Sequence, residues 1–224
     1  MKICTIIVTR NKSCHVRTMH SLLQMNLFII QSGNQQEIVF VNDDPFARSE
    51  MIAAKILTSD RLVFVDYSIH IDNPSIQQLL TPFKDLDFHC LVLPCVKEGV
   101  NWDRFKEKIK ENKYGTEPVS QLALDFDTVA DSCVNGDIYK VKSTESRCWS
   151  LDCKPVARLL TFSKEGKKKT VKKTFTIPPK PKDMFDLFKS KSVKVYTYTG
   201  ANLVCIYSHE CLGNILNAAG TKMT

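Results

Sequence analysis

Through its first two-thirds the chain alternates unbroken apolar runs with segments whose apolar residues recur every three or four positions. Lys2 to Thr9 (KICTIIVT) is apolar and β-branched without polar alternation, the pattern of a strand buried on both faces. After Ser13, the spacing of Val16, Met19, Leu23, Leu27 and Ile30 predicts a helix, although the end of this run suits an extended chain equally well. EIVFVNDD is a short apolar strand running into two acids. Pro45 then opens a helix through Ala47 to Leu57 that closes near Ser59 and Asp60. RLVFVDYSIHID supplies a third strand, Pro74 to Phe83 a short helix, HCLVLPCV another strand, and Trp102 to Lys110 a charged amphipathic helix.

Past about Gly115 the pattern becomes less regular. DIYKVKS and VKVYTYT read as strands of an antiparallel part, with GANLVCIYS as partner of the latter and Gly200 and Asn202 at or near the turn. The Lys-rich stretch between them, with Pro178, Pro179 and Pro181, suits neither a core helix nor a central strand, so residues 163–183 read as a mobile surface loop. These patterns predict one α/β domain over residues 1–224. Its mostly parallel central sheet is flanked by helices, and a smaller antiparallel part lies toward the C-terminus. Ligands of such sheets bind beyond the carboxyl ends of the strands.

Composition adds three points. Hydrophobic residues at 43% and charged residues at 25% are ordinary for a globular chain, and 224 residues suffice for a sizeable core. No run approaches the ~20 apolar residues of a membrane span, and Met1-Lys2 leads into a strand instead of a signal-peptide pattern, so a cytoplasmic location is expected. The nine cysteines are odd in number, scattered, and partly within apolar runs, which reads as buried thiols of a reduced protein; their spacing does not suit structural zinc. Charge is uneven. Eight lysines between Ser163 and Asp183 face only Glu165 and Asp183, so nearly all of the net +7 lies there.

The strand-end residues carry the candidate chemistry: Thr9, Arg10 and Asn11 after the first strand, Asp43 and Asp44 after the second, Asp66, Tyr67 and Ser68 after the third. In the order TIIVTRN, EIVFVNDD, ARSEMIAAKILTSD and RLVFVDYS, these segments resemble the glycosyltransferase A superfamily, and among its members the small transferase domains of large DNA viruses such as those infecting algae. That resemblance implies a nucleotide-sugar-binding half over residues 1–95, an acceptor-side half over residues 96–224, and a host cytoplasm if the chain is viral. It also implies a strand-end acid holding uracil or ribose, an Ala-Arg arginine (Arg48) pairing with such an acid, and an apolar strand closed by Asp-x-Asp. Here the third motif position is Ser68 instead of aspartate.

A glycosyltransferase must stabilise the charge that grows on a departing pyrophosphate, by a divalent cation or by basic side chains. Asp66 is the candidate ligand for Mn²⁺ or Mg²⁺, with Ser68 or a bridging water completing the shell. His209 matches the position of the C-terminal histidine that ligates metal in some members of the superfamily. Asp152 falls where the superfamily's general base tends to occur, with Glu145 as the alternative, both near Trp149, whose face would suit an acceptor sugar. Each residue has a plainer reading. Asp43 and Asp44 before Pro45 also form a helix-capping turn, Asp66 can begin a turn, Asp152 can start a helix over a buried Trp149, and Asp72 lies close enough to assist. The literal Asp-x-Asp at Asp125 and Asp127 follows no apolar strand.

The function expected is transfer of a sugar from a nucleotide-diphosphate sugar, a UDP-sugar in the first place, to a glycan or glycoprotein acceptor. The Lys-rich segment is then a solvated loop, a flap over the pyrophosphate, or a docking patch for an acidic acceptor. Two other classes compete. A sugar-nucleotide nucleotidyltransferase would carry a glycine-rich phosphate loop, whereas VTRNKSCHV has no glycine. A nucleic-acid-binding protein would interleave basic residues with stacking aromatics, whereas only Phe175 interrupts the lysines.

Overall fold

The computed structural model describes residues 1–81, 88–111, 119, 122–165, 168–171 and 175–206. Strand β1 (Lys2–Thr9) is followed by α1 (Val16–Gln31), β2 (Gln35–Asn42), α2 (Pro45–Thr58) and β3 (Arg61–Val65). Next come β4 (Ile69–Ile71), α3 (Asn73–Leu80), β5 (Cys90–Val92), α4 (Trp102–Lys110), β6 (Thr128–Asn135), β7 (Ile138–Thr144) and β8 (Cys148–Asp152). The described chain continues through α5 (Cys153–Thr161), β9 (Phe162–Glu165), β10 (Lys168–Val171), α6 (Pro181–Ser190), β11 (Val195–Tyr198) and β12 (Leu203–Cys205).

Eight strands form one mixed sheet in the order β2-β1-β3-β8-β5-β11-β7-β6. β1 pairs in parallel with β2 and β3, and β5 with β11, while β8 and β7 run against their neighbours. Six of the eight strands therefore point the same way. Alternation along β1 and β3 explains why their sequences show no polar face. Cys4, Ile6, Val8, Leu62 and Phe64 pack with α2, α5 and α6 on one side, and Ile3, Ile7, Val63 and Val65 pack with α1 and α3 on the other. Trp149, in the middle of the sheet, is 1% exposed and stacks on Phe64 with ring centroids 5.1 Å apart. It is a core residue, with no face left for an acceptor sugar.

Three expectations need correction. The buried stripe of α1 is Leu22, Met25 and Ile29; Val16, Leu23, Leu27 and Ile30 lie on the exposed face, because two apolar stripes run along this helix and only one meets the sheet. β12 pairs with β4, not with β11, which is instead taken into the main sheet between β5 and β7. The Lys-rich segment is not simply a loop, since β9 and β10 form an antiparallel pair outside the main sheet. Its prolines follow that pair, and Pro181 sits at the start of α6, where the missing N–H costs nothing. No described helix is long and apolar enough to cross a membrane.

Candidate functional site

The parallel strands β1, β2 and β3 end together, and their first residues beyond the sheet form a charged cluster. β1 leaves through a tight turn in which Arg10 and Ser13 exchange backbone hydrogen bonds of 2.8 and 3.0 Å. Its two central residues, Asn11 and Lys12, have φ of 52° and 61°, the left-handed geometry of a two-residue turn. That turn sends the Arg10 side chain back over the strand ends. Arg10 Nε and Nη2 donate to Asp43 Oδ2 at 3.2 and 3.1 Å, and the Arg10 guanidinium lies 4.4 Å above the centre of the Tyr67 ring. Arg48 Nη1 reaches the other oxygen of Asp43 at 3.2 Å. Asp43 is thus clamped between two guanidiniums, while its neighbour Asp44 accepts Ala47 N–H at 2.7 Å and caps α2. Thr9 Oγ1 donates to the Val41 carbonyl at 3.2 Å and ties β1 to β2.

Asp66 ends β3 and is 6% exposed. Its Oδ1 accepts Tyr67 N–H at 2.8 Å, and its Oδ2 faces Arg147 Nη1 at 3.7 Å. Burial raises the Asp66 pKa above the usual carboxylate range, against the pull of the Tyr67 N–H and the Arg147 charge. Two residues on, Ser68 Oγ is buried without a hydrogen-bond partner, although the Ser68 carbonyl accepts Ile206 N–H at 2.9 Å. Tyr67 is held through its carbonyl by His15 N–H and Thr18 Oγ1, each at 3.0 Å.

Two spaces flank this strand end. On the α1 side lies an open cleft of about 530 Å³, lined by Arg10, Asn11, His15, Tyr67, Ser68 and Ile206 among others. That volume is within the range of small-ligand sites. On the α2 side Arg48, Asp66, Ser146, Arg147, Pro178 and Pro179 border a cavity of about 30 Å³, room for about one water. The proline-rich end of the Lys-rich segment therefore packs beside Asp66.

Asp152, the general-base candidate, is placed away from the Asp66 strand end. β8 runs antiparallel to β3, with Asp152 opposite Arg61 and Cys148 opposite Val65, so Asp152 stands at the far end of β3 from Asp66. It is also engaged: Arg61, a guanidinium 1% exposed, donates Nε and Nη2 to Asp152 Oδ1 at 3.0 and 2.7 Å. Glu145 is exposed and precedes Ser146 and Arg147, on the Asp66 side of the sheet. Asp72 caps α3 through Ser75 N–H at 3.0 Å. Asp125 pairs with Arg104, and buried Asp127 accepts from Cys95 N–H and Thr128, so the literal Asp-x-Asp pair is structural. His209 lies outside the described residues. Sequence reasoning missed Arg147 and Ser146; the signal was the polar Ser-Arg pair immediately before an apolar run, which becomes informative only once β8 is known to run backward.

For a divalent cation the described residues supply the Asp66 carboxylate and the unpartnered Ser68 hydroxyl, and no group of three His, Cys, Asp or Glu suited to a metal occurs among them. One carboxylate with a hydroxyl fits a hard cation that shares its shell with water and substrate phosphates, as Mg²⁺ commonly does, and not one caged by protein alone.

No protein-family model and no curated protein matches the chain, so its likeness to viral transferases has no sequence match behind it. Solved structures do match. GalNAc-T7 crystallised with UDP, GalNAc and Mn²⁺ aligns with TM-score 0.50 and 7% identity over 93% of this chain and 44% of its own, so the chain spans less than half of that protein. A mutant of the Drosophila β-1,4-galactosyltransferase 7 in complex with manganese, UDP-Gal and xylobiose gives TM-score 0.46 and 12% identity over 92% and 71%. 4-Diphosphocytidyl-2C-methyl-D-erythritol synthase from Anaerococcus prevotii gives 0.38 and 13% over 97% and 96%. At these identities the likeness is one of fold, and the fold is of the glycosyltransferase A type.

Proposed function

We propose that the chain is a glycosyltransferase that takes a sugar from a nucleotide-diphosphate sugar, a UDP-sugar in the first place, and delivers it to a glycan or glycoprotein acceptor. One observation carries the reading: Asp43, clamped by Arg10 and Arg48, and Asp66, facing Arg147, stand at the ends of parallel strands, where Arg10, Tyr67 and Ser68 line a cleft of about 530 Å³. This is where open α/β sheets bind nucleotides.

In this reading the Tyr67 ring, covered by the Arg10 guanidinium and carried on a backbone that His15 and Thr18 hold through its carbonyl, forms the wall against which the nucleoside lies. Asp43 is the acceptor for its sugar or base hydroxyl and amide donors, held in place by its two arginines. Asp66 and Ser68 would hold Mn²⁺ or Mg²⁺, which supplies Lewis-acid stabilisation of the departing diphosphate. Arg147 and Arg48 add fixed positive charge at the same place without reorganising. Glu145, exposed just before Ser146 and Arg147, would take the proton of the acceptor hydroxyl. The turn after β1 is short and lacks glycine, which disfavours the phosphate-cradling loop of a nucleotidyltransferase.

The test is calorimetric titration of UDP, GDP and CMP, with and without Mn²⁺, followed by nucleotide-release assays on the matching sugar nucleotides. Saturable binding of one diphosphate, weakened at least tenfold by Asp43→Asn, is the expected outcome. A chain that binds none of these nucleotides under either condition is not a glycosyltransferase of this kind.

A further inference from the structure

The two edges of the main sheet are built differently. β6, at one end, is interrupted by three register shifts against β7 and carries Asp131, devices that keep an edge strand from pairing further. β2, at the other end, pairs with β1 in continuous register over all eight of its residues. It has no bulge, proline or lysine, and no described strand takes its second edge. Its one charged residue, Glu37, is turned to the α2 side and paired with Lys2 and Lys55.

The α1 side of this edge is apolar and open. Phe40 lies opposite Ile7 and Ile38 opposite Thr5, both on the face of β1 that α1 covers. Ser21 of α1 accepts the Ile71 N–H at 2.9 Å and so faces β4, whereas Leu23, about 200° further round the helix, lies on the flank away from β4, toward β2. Leu27 and Ile30 continue that stripe. Leu23, Leu27, Ile30 and Phe40 are 52–58% exposed and Ile38 is 38% exposed. Five side chains of this size at about half exposure make a patch on the order of 500 Å², the upper end of what a monomer leaves open. Charge is sparse as well. α1 and β2, 16 and 8 residues long, hold Arg17 and Glu37 as their formal charges, in a chain of which 25% is charged. Depletion of charge around apolar side chains is the composition of an interface core.

We propose that this face is the contact between two copies of the chain, with β2 pairing antiparallel to β2 of the second copy across a two-fold axis. Three features select a second copy as the occupant. The free edge of a strand offers N–H and C=O groups in alternation, and antiparallel pairing about a two-fold axis satisfies both copies with the same set. That axis stands perpendicular to the sheet, so both α1 helices fall on one side of a sheet continuous through the two copies, and their apolar stripes flank Ile38 and Phe40 of each. The face also lacks the charge that would pick out an acidic or a basic partner. Finally, a stable contact removes about 800 Å² from each partner, of which the apolar patch supplies more than half. The β2 edge and the exposed amides of Gln31 and Gln35 at its rim supply the rest. Because the paired strands run oppositely, the two Asp43 clamps stand at opposite ends of the β2 pair, and each copy keeps its own candidate site.

The test is sedimentation of the full-length chain over a range of concentration up to about 100 μM, where a contact of this size is expected to be populated. The expected species is a dimer whose dissociation constant rises about thirtyfold or more in Leu27→Glu and in Phe40→Lys, since each change places two charges in the centre of a two-fold contact. Both positions are exposed in the single chain, so circular dichroism of each variant should match that of the parent. Trp102→Lys, a charge on a comparably exposed side chain of α4, should leave the dimer intact. Hydrogen exchange of the parent decides the matter even where a variant fails to fold: β2 amides should exchange more slowly in concentrated than in dilute solution. A parent that sediments as one chain throughout overturns the proposal. So does a dimer that Leu27→Glu and Phe40→Lys leave unchanged, or exchange along β2 that is indifferent to concentration. None of these readouts depends on nucleotide binding or sugar transfer.

Discussion

Replacing Asp152 with alanine separates a structural carboxylate from a catalytic one. Arg61 is buried at the start of β3, and its guanidinium is shared between Asp152 Oδ1, at 3.0 and 2.7 Å, and the carbonyls of Leu80 and Thr81, at 2.8 and 2.7 Å. Removing the carboxylate leaves a buried positive charge with neutral acceptors. Breaking a buried ion pair from one side costs about 3–5 kcal/mol. Asp152 is 28% exposed, so water can enter its place, and the carbonyls remain; the lower end, about 3 kcal/mol, is expected. Asp152 is also the N-cap residue of α5 but makes no side-chain cap bond, so nothing is added on that account. For a chain of this size the loss corresponds to a fall in Tm of roughly 6–12 °C. The assay is thermal and urea denaturation of Asp152→Ala beside nucleotide titration at a temperature where both proteins are folded. Affinity for the nucleotide should stay within about twofold. A variant as stable as the parent but deficient in transfer would refute the assignment and restore Asp152 to the chemistry.

Asp66→Asn is expected to cut sugar transfer by about 100-fold or more, the scale of losing a preorganised charge at the leaving group. The same variant should melt at or above the parent's temperature at pH 8. The sign follows from burial: a carboxyl raised in the folded state contributes stability that is complete below its ordinary pKa and is lost as pH rises through the raised one, which amide replacement removes. Arg48→Ala frees one side of Asp43 and should weaken nucleotide binding by about tenfold, read by calorimetry, with a Tm change under about 3 °C. Replacing Lys167, Lys168 and Lys169 with serine should raise the donor KM and flatten its salt dependence if the segment that ends at Pro178 and Pro179 closes on the donor. An unchanged KM with reduced activity on an acidic acceptor would make it a docking patch instead.

What was legible in the sequence follows from how locally each feature is encoded. The buried strands β1 and β3 and the acids that close β2 and β3 announce themselves, because burial on both faces demands unbroken apolar runs and a strand end in water demands polar residues. The face of α1 was not legible, since two apolar stripes lie on that helix and only the tertiary contact decides which one is covered. The direction of a strand is likewise not written in its own residues. CWSLD suits either orientation, and read as a parallel strand it delivers Asp152 to the site, as every other acid-terminated strand does. β8 enters instead between β3 and β5 antiparallel to both, so its first residue lies at the Asp66 end of β3 and its last at the opposite end. That reversal exchanges a carboxylate for Ser146 and Arg147 at the one place where the sheet's charged ends converge. It also accounts for the positive charge there: Arg147 lies 3.7 Å from Asp66, with the Ser68 hydroxyl two residues further on. If the diphosphate is stabilised at this strand end, part of the charge that opposes it therefore belongs to the protein itself.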